Sequence, residues 1–468
     1  MSGTGRPNMI IFLMDCVRPD HMSCYGYRRE TTPNLDRMVK EEGTLFRQAI
    51  TTSGWTLPTH ASLFTGVYPS LHGASKEYLS LDKTYPTMAE ILGEVGYQTA
   101  GFSSVGYVSR ATGLDRGFDA FFESFDKEGM GANLNRYMLK YLALRLLAKH
   151  TGLGWKDAIP GKIVNWKVKD WLRRCDRSRP FFLFIHYIDA HKPYSFNRFY
   201  NRKFIGCDGK LKLSKEISHY NWPHFTLQLD SLDKELITDL YDSKIYTVDY
   251  CISEIMDYLK RLGSYDNTAF FVMADHGEIV TDRYDHHFFL NEDVLRIPLL
   301  VRWPALFEPG TERDELVSIV DILPTLLDIA GVATQGRFDH LQGRTLLSSC
   351  DEERFVIAER GKMLDPWFEK FPELKERDDI PPLDCVMKVL RTKRYKYVWS
   401  STGEEALYDV IADSAESEDL AAALPEVVEE YKGLLFETLK GGRNRSDRQK
   451  STEVEETVRK SLESLGYL

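Results

Sequence analysis

The chain has 468 residues, 43% of them hydrophobic and 28% charged, with a formal net charge of −10. That length suffices for a large folded unit plus a smaller one, and the acidic balance without any basic run argues against a nucleic-acid surface. An acidic protein that handles anions must gather positive charge locally, through a metal, Arg or His.

The longest early apolar run, residues 9–14, is too short for a secretory signal, and no stretch reaches transmembrane length. The seven cysteines (Cys16, Cys24, Cys175, Cys207, Cys251, Cys350 and Cys385) are odd in number and form no Cys-x-x-Cys pair. They predict reduced, mostly buried thiols and a cytoplasmic compartment.

Residues 9–14 predict a buried strand with Asp15 just past its end. Ligand-binding groups of a parallel sheet lie there, and an Asp capping the next turn is the alternative. A helix opens at Thr32-Pro33, and residues 44–51 read as a strand. Residues 54–66 then read as a turn that becomes a short helix, with Thr56 as N-cap, Pro58 in the first turn and Gly66 at the stop. A hydroxyl at a helix N-terminus sits where free N–H groups and the dipole favour negative charge, which suits an oxygen nucleophile attacking an anionic ester. An ordinary capped helix is the alternative.

Residues 86–95 are amphipathic and end at Gly96, and 97–103 read as a strand, giving the alternation of a doubly wound sheet. Residues 105–178, with Trp155, Trp166 and Trp171 among Lys and Arg, predict a helical cover. Residues 181–185 predict a buried strand, and His186, inside that apolar run, is expected to be a packed, hydrogen-bonded core histidine. Residues 195–230 read as an insertion or lid, and 233–262 as a long helix stopped by Gly263.

The strand predicted at 269–273 runs into Asp275-His276-Gly277-Glu278. Adjacent Asp and His at a strand end can both reach one divalent ion. His286 and His287 follow, ten and nine residues before Arg296. Residues 317–329 read as a helix and 332–345 as a linker. Residues 354–359, 386–390 and 395–399 predict a small antiparallel sheet, followed by a helix at 425–439 and a charged tail.

Four of these stretches, in one order over about residues 8–440, make the chain resemble the sulfatases. Thr56-Leu57-Pro58-Thr59-His60-Ala61-Ser62-Leu63-Phe64-Thr65-Gly66 is similar to Cys/Ser-x-Pro-Ser/Thr-Arg followed by Ser-Leu-Leu/Phe-Thr-Gly. Asp15 through Tyr25-Gly26 fits the opening Asp-Asp/Thr-x-Arg-x-Asp motif and its Tyr-Gly. Asp189-Ala190-His191-Lys192-Pro193-Tyr194 fits Asp/Pro-x-His-x-Pro-Tyr, and Asp275-His276-Gly277-Glu278 is the fourth.

The resemblance implies an α/β fold: a large mixed, mostly parallel sheet flanked by helices, with a smaller C-terminal α+β domain. It places a catalytic domain at 1–335 with insertions near 105–178 and 195–230, a second domain at 345–440, and a tail at 441–468. It implies one divalent cation held by Asp15, Asp275, His276 and the Thr56 oxygen. Arg18 and His191 take substrate-binding positions, His191 at the scissile ester, and either His286 or His287 meets the sulfate or phosphate oxygens.

Three departures qualify the resemblance. Thr56 stands where sulfatases oxidise Cys or Ser to formylglycine, which a threonine cannot form. His60 stands in the place of an Arg. Cys16 replaces the second Asp of the calcium type and reads as a bystander rather than a soft ligand. The chain thus resembles the threonine-nucleophile branch of the alkaline phosphatase superfamily, with catalytic Thr56, His60, His191 and His286 or His287. Manganese or zinc is favoured over calcium. The expected substrate is a small anionic ester, a phosphodiester or phosphonate monoester ahead of a sulfate. A group transferase, or a binding protein on the same fold, remains an alternative.

Overall fold

The structure, a computed structural model, describes residues 5–124, 160–192, 194, 203–205, 231–280, 289–348, 353–363, 368, 372–377 and 381–440. His286, His287, the tail at 441–468 and nearly all of the expected lid at 195–230 lie outside the described residues.

β1 (Asn8–Met14) is buried at every position. A strand apolar on both faces belongs in the middle of a sheet covered on both sides. It pairs in parallel with β5 (Phe181–Tyr187) on one edge and β6 (Thr268–Ala274) on the other, which sets Met14 beside both Tyr187 and Ala274. The rest of the eight-stranded sheet is β2 (Thr44–Ile50), β3 (Gln98–Ser103), β4 (Ala120–Glu123), β7 (Arg296–Arg302) and β8 (Thr311–Ser318). The order is β4-β3-β5-β1-β6-β7-β2-β8, and β7 alone runs against its neighbours.

The helix Ser231–Arg261 and the helix Pro160–Arg174 are tied to this sheet through one buried amide. Asn165 accepts from Tyr187 Oη at 2.7 Å and donates to Cys251 O at 2.8 Å. Asp249 on the long helix caps α1 (Pro33–Glu42) by accepting from Leu35 N at 2.9 Å and Asn34 Nδ2 at 2.7 Å.

A second sheet, β9 (Phe355–Arg360), β10 (Met387–Thr392), β11 (Tyr395–Ser400) and β12 (Glu405–Asp409), is antiparallel throughout in the order β12-β11-β10-β9. The architecture is therefore the expected α/β fold with a C-terminal antiparallel sheet. β9 grips the chain just ahead of α2 (Thr56–Thr65): Glu359 N donates to Thr52 O at 2.8 Å, and Ser53 Oγ donates to Glu359 O at 2.8 Å.

Two expectations change. Within 105–178 the described residues form an edge strand, β4, before the helix Pro160–Arg174, because Ala-Phe-Phe-Glu pairs with β3. Within 317–329, β8 runs through Ser318 and the helix begins only at Ile322. Ser318 and Asp321 form a capping box that turns the chain first.

Candidate active site

Asp15 and Asp275 are each the first residue past the C-terminal end of a strand, β1 and β6, and these strands are neighbours in register. The fold thus puts two carboxylates side by side where an open parallel sheet binds its ligands. His276 comes with Asp275. Ligand atoms of Asp15, Asp275 and His276 lie within 4.8 Å of one another, and all three residues are fully buried.

Gly277 makes this turn possible. A Cβ there would lie 1.9 Å from Asp293 O, so the strand end could not close on the helix Glu292–Leu295. His276 Nδ1 donates to Gly277 O at 2.9 Å, which leaves Nε2 on the side of Asp275 Oδ2, at 3.3 Å.

The two carboxylates shift in opposite directions, although burial raises both. Desolvation pushes Asp15 up, but the His186 hydrogen bond and the charges of His191, His186 and His276 outweigh it and hold Asp15 well below the usual carboxylate range. Burial and then the Asp15 charge push Asp275 up. Two buried acids this close resist ionising together, and a cation removes the conflict. Asp275 Oδ2 is buried and accepts no hydrogen bond among the described residues. Hard oxygens plus an imidazole, with one such acceptor open, fit a divalent metal ion.

His186 is the core histidine expected, yet its partner lies in the site. Its register on β5, opposite Leu13, brings Nε2 to Asp15 Oδ2 at 3.1 Å. Cys16 is no bystander in space. It adopts a left-handed φ of 61°, its N–H donates to Asp275 Oδ1 at 3.2 Å, and Sγ donates to Asp15 Oδ1 at 3.2 Å. Burial, then the charges of Asp15, Glu278 and Asp275, raise its thiol well above the usual range. His191, half-buried, completes a second close group with Asp15 and Cys16.

Thr56 is the first residue of α2, not its N-cap. Trp55, extended at φ −155°, holds that position. All ten residues of α2 are buried, and Gly66 ends it at φ 70°. His60 links the helix to the carboxylates: Nδ1 donates to Thr56 O at 2.8 Å and lies 3.8 Å from Asp275 Oδ2. Burial, then the neighbouring His186 charge, hold His60 down to about 3, so it is neutral at physiological pH.

Arg18 is committed to other groups. Its guanidinium binds both Asp20 oxygens at 2.9 and 2.7 Å, Asp293 at 2.6 Å and Glu278 O at 3.2 Å. Lys192, which the motifs did not single out, sits 3.3 Å from the buried Glu278 carboxylate. The charge pattern of either loop alone did not reveal these partners.

A hydroxyl-bearing helix N-terminus beside strand-end acids and histidines, on this fold, defines an ester-hydrolysing α/β enzyme. The chain belongs to the sulfatase family. Residues 7–332 match the model of that family, and 280–439 match that of the N-sulphoglucosamine sulphohydrolase C-terminal region. The bovine (Bos taurus) arylsulfatase K is 25% identical over 447 residues, covering 90% of this chain and 79% of its own.

Among solved structures, the phosphonate monoester hydrolase of Agrobacterium radiobacter superposes with a TM-score of 0.72 at 21% identity, over 93% of this chain and 96% of that one. A structure in complex with its substrate, D-glucosamine-2-N,6-O-disulfate, superposes with a TM-score of 0.65 at 18% identity, over 95% and 100%. Sulfatases generally use a divalent metal ion, in keeping with the Asp15, Asp275 and His276 group. Among the described residues no helix is long and apolar enough to cross a membrane.

Proposed function

We propose that this sulfatase-family hydrolase cleaves phosphorus esters through a covalent intermediate on Thr56, as a threonine-nucleophile member that needs no formylglycine. The observation that carries the reading is the placement of Thr56. The residue at the nucleophile position is a threonine, it opens a buried helix, and His60 connects it to Asp275.

Asp15, Asp275 and His276, with the Thr56 oxygen, would hold one divalent cation, manganese or zinc rather than calcium. Such an ion supplies charge that lowers the pKa of a hydroxyl and offsets a non-bridging oxygen. Thr56 gives up its hydroxyl proton to water, its Oγ1 bonds to phosphorus in line, and the bond to the leaving oxygen breaks. His191 contacts the ester, and the proton for the leaving oxygen comes from it or from His286 or His287. Water then displaces the Thr56 oxygen and restores the hydroxyl. His60, neutral and buried, positions Thr56 through its backbone carbonyl.

One feature favours phosphorus over a sulfate, and a second favours a phosphodiester or phosphonate monoester over a phosphate monoester. A formylglycine hydrate expels sulfate by collapsing to its carbonyl, whereas a sulfo-threonine has no such route. The pocket is also weak in fixed positive charge, because His60 is neutral and Arg18 is bound to Asp20 and Asp293, so a singly charged ester fits better than a dianion. The test is kcat/KM on nitrophenyl sulfate, nitrophenyl phosphate, bis-nitrophenyl phosphate and nitrophenyl phenylphosphonate, with Thr56→Ala and Thr56→Ser alongside. We expect the diester or phosphonate to lead, the alanine variant to lose turnover, and the serine variant to keep a measurable part. A clear lead for the sulfate, or turnover in Thr56→Ala, would refute the reading.

A further inference from the structure

The Asp15–Asp275–His276 group does not use every ligand atom the fold brings together. Cys16 Sγ lies 3.7 Å from His276 Nδ1, the edge of the ring that donates to Gly277 O. Asp275 Oδ2 lies against the opposite atom, Nε2, at 3.3 Å. The thiol therefore meets a different ring nitrogen from the one Asp275 Oδ2 faces, and the close groups of ligand atoms place Cys16 with Asp15 and His191, and Asp275 with Asp15 and His276. Asp15 is divided in the same way. Its Oδ1 faces Cys16 Sγ at 3.2 Å, while Oδ2 faces His186 Nε2 at 3.1 Å.

On the Cys16 side, ligand atoms of Asp15, Cys16 and His191 lie within 4.8 Å of one another. They come from the ends of two adjacent strands, β1 and β5. His191 Nδ1 donates to Lys192 O, which fixes the tautomer and leaves the lone pair on Nε2, the usual arrangement for a ligating histidine.

We infer that Asp15, Cys16 and His191 form a second cation position, sharing Asp15 with the first, and that it takes a thiophilic divalent ion of the zinc type. This rests on the metal site read above. A Cys, a His and a carboxylate with a fourth side open make a catalytic zinc set, with bonds of about 2.0–2.3 Å. Cys16 and Asp15 are fully buried, whereas His191 is partly exposed, so the cluster meets solvent on the His191 side. Binding releases the thiol proton to water as sulfur bonds to the metal, with no redox change.

Charge also closes. With Glu278 beside Lys192, Asp15 and Asp275 balance one divalent ion. A thiolate and a second divalent ion then leave net positive charge for an anionic ester. His191 would meet that ester through the cation, and the proton for the leaving oxygen would fall to His286 or His287.

The experiment is a cobalt(II) titration of the metal-stripped full chain under anaerobic conditions, followed by absorbance and bound-metal analysis. We expect two equivalents, with a near-ultraviolet sulfur-to-cobalt charge-transfer band. Cys16→Ala should lose that band and one equivalent while keeping the visible bands of the remaining cobalt. Cys16→Gly, which suits the left-handed backbone, serves if the alanine variant does not fold. One equivalent without the charge-transfer band in the wild type would overturn this inference and leave the first metal site standing. No bound cobalt at all would overturn both.

Discussion

Replacing His186 by Phe isolates the group that orients Asp15. The ring is fully buried, edge-on to His60 at 5.1 Å and stacked near Phe184 at 6.3 Å, so a phenyl ring fills the same space without a cavity. What is lost is one hydrogen bond to an ionised carboxylate, Nε2 to Asp15 Oδ2 at 3.1 Å. Such bonds contribute about 1.5–3 kcal/mol. Removing the partner of a metal ligand typically weakens metal affinity by about 10–100-fold, roughly 1.4–2.7 kcal/mol, so the two estimates agree. The assay is competition for the metal against a chelating dye, with turnover measured at saturating metal. We expect His186→Phe to bind the ion about 10–100-fold more weakly and to regain most turnover once loaded. His186→Gln, which keeps an N–H donor, should fall between. A Phe variant that holds metal as tightly as the wild type would refute the assignment.

Two further outcomes concern the frame around the site. Arg354 Nη2 meets both oxygens of the buried Asp321 at 2.6 Å, so Arg354→Met leaves an uncompensated carboxylate and should cost about 3–5 kcal/mol in urea unfolding; a variant as stable as the wild type would show that the pair carries nothing. Burial, offset in part by the Leu35 and Asn34 donors, raises Asp249 from 3.8 to about 7, and about three units correspond to roughly 4 kcal/mol. Because the folded value is raised, that stability is complete below pH about 4 and is lost as pH rises through about 7. Unfolding at pH 5 and pH 8 should show the decline in the wild type and not in Asp249→Asn, and identical declines would refute it.

The sequence was most legible where one element carried the whole signal. The runs that became β1, β5 and β6 are apolar on both faces, and a strand-end Asp in a parallel sheet points to a ligand site without knowledge of its neighbours. That placement made Asp15, Asp275 and His276 candidates, and the resemblance to the sulfatases assigned them to one ion. What escaped depends on pairing. That His186 reaches Asp15 follows from the β1–β5 register, which an apolar run does not encode. The partners of Arg18 escaped because Asp293 and the Glu278 carbonyl come from distant loops. Thr56 moved one place into its helix because Trp55, extended, serves as the cap. The short, half-exposed β4 has no periodicity to read.

The three departures from the sulfatase motifs are neighbours around one residue. Asp275 receives the Cys16 N–H on Oδ1 at 3.2 Å and has His60 Nδ1 3.8 Å from Oδ2, and His60 holds Thr56 O at 2.8 Å. They therefore act on a common electrostatic balance and are best understood as one substitution in three parts. Charging the His60 position is costly in this chain, since a fall from 6.5 to about 3 corresponds to roughly 5 kcal/mol. An arginine placed there alone would bury a cation against Phe64 and Phe184. A neutral His60 in turn leaves the pocket short of the positive charge that the family's Arg would supply, and a thiol beside Asp15 offers a way to restore it with metal. By this argument, Thr56→Cys alone should not release sulfate from nitrophenyl sulfate, and sulfate release by that variant would refute it.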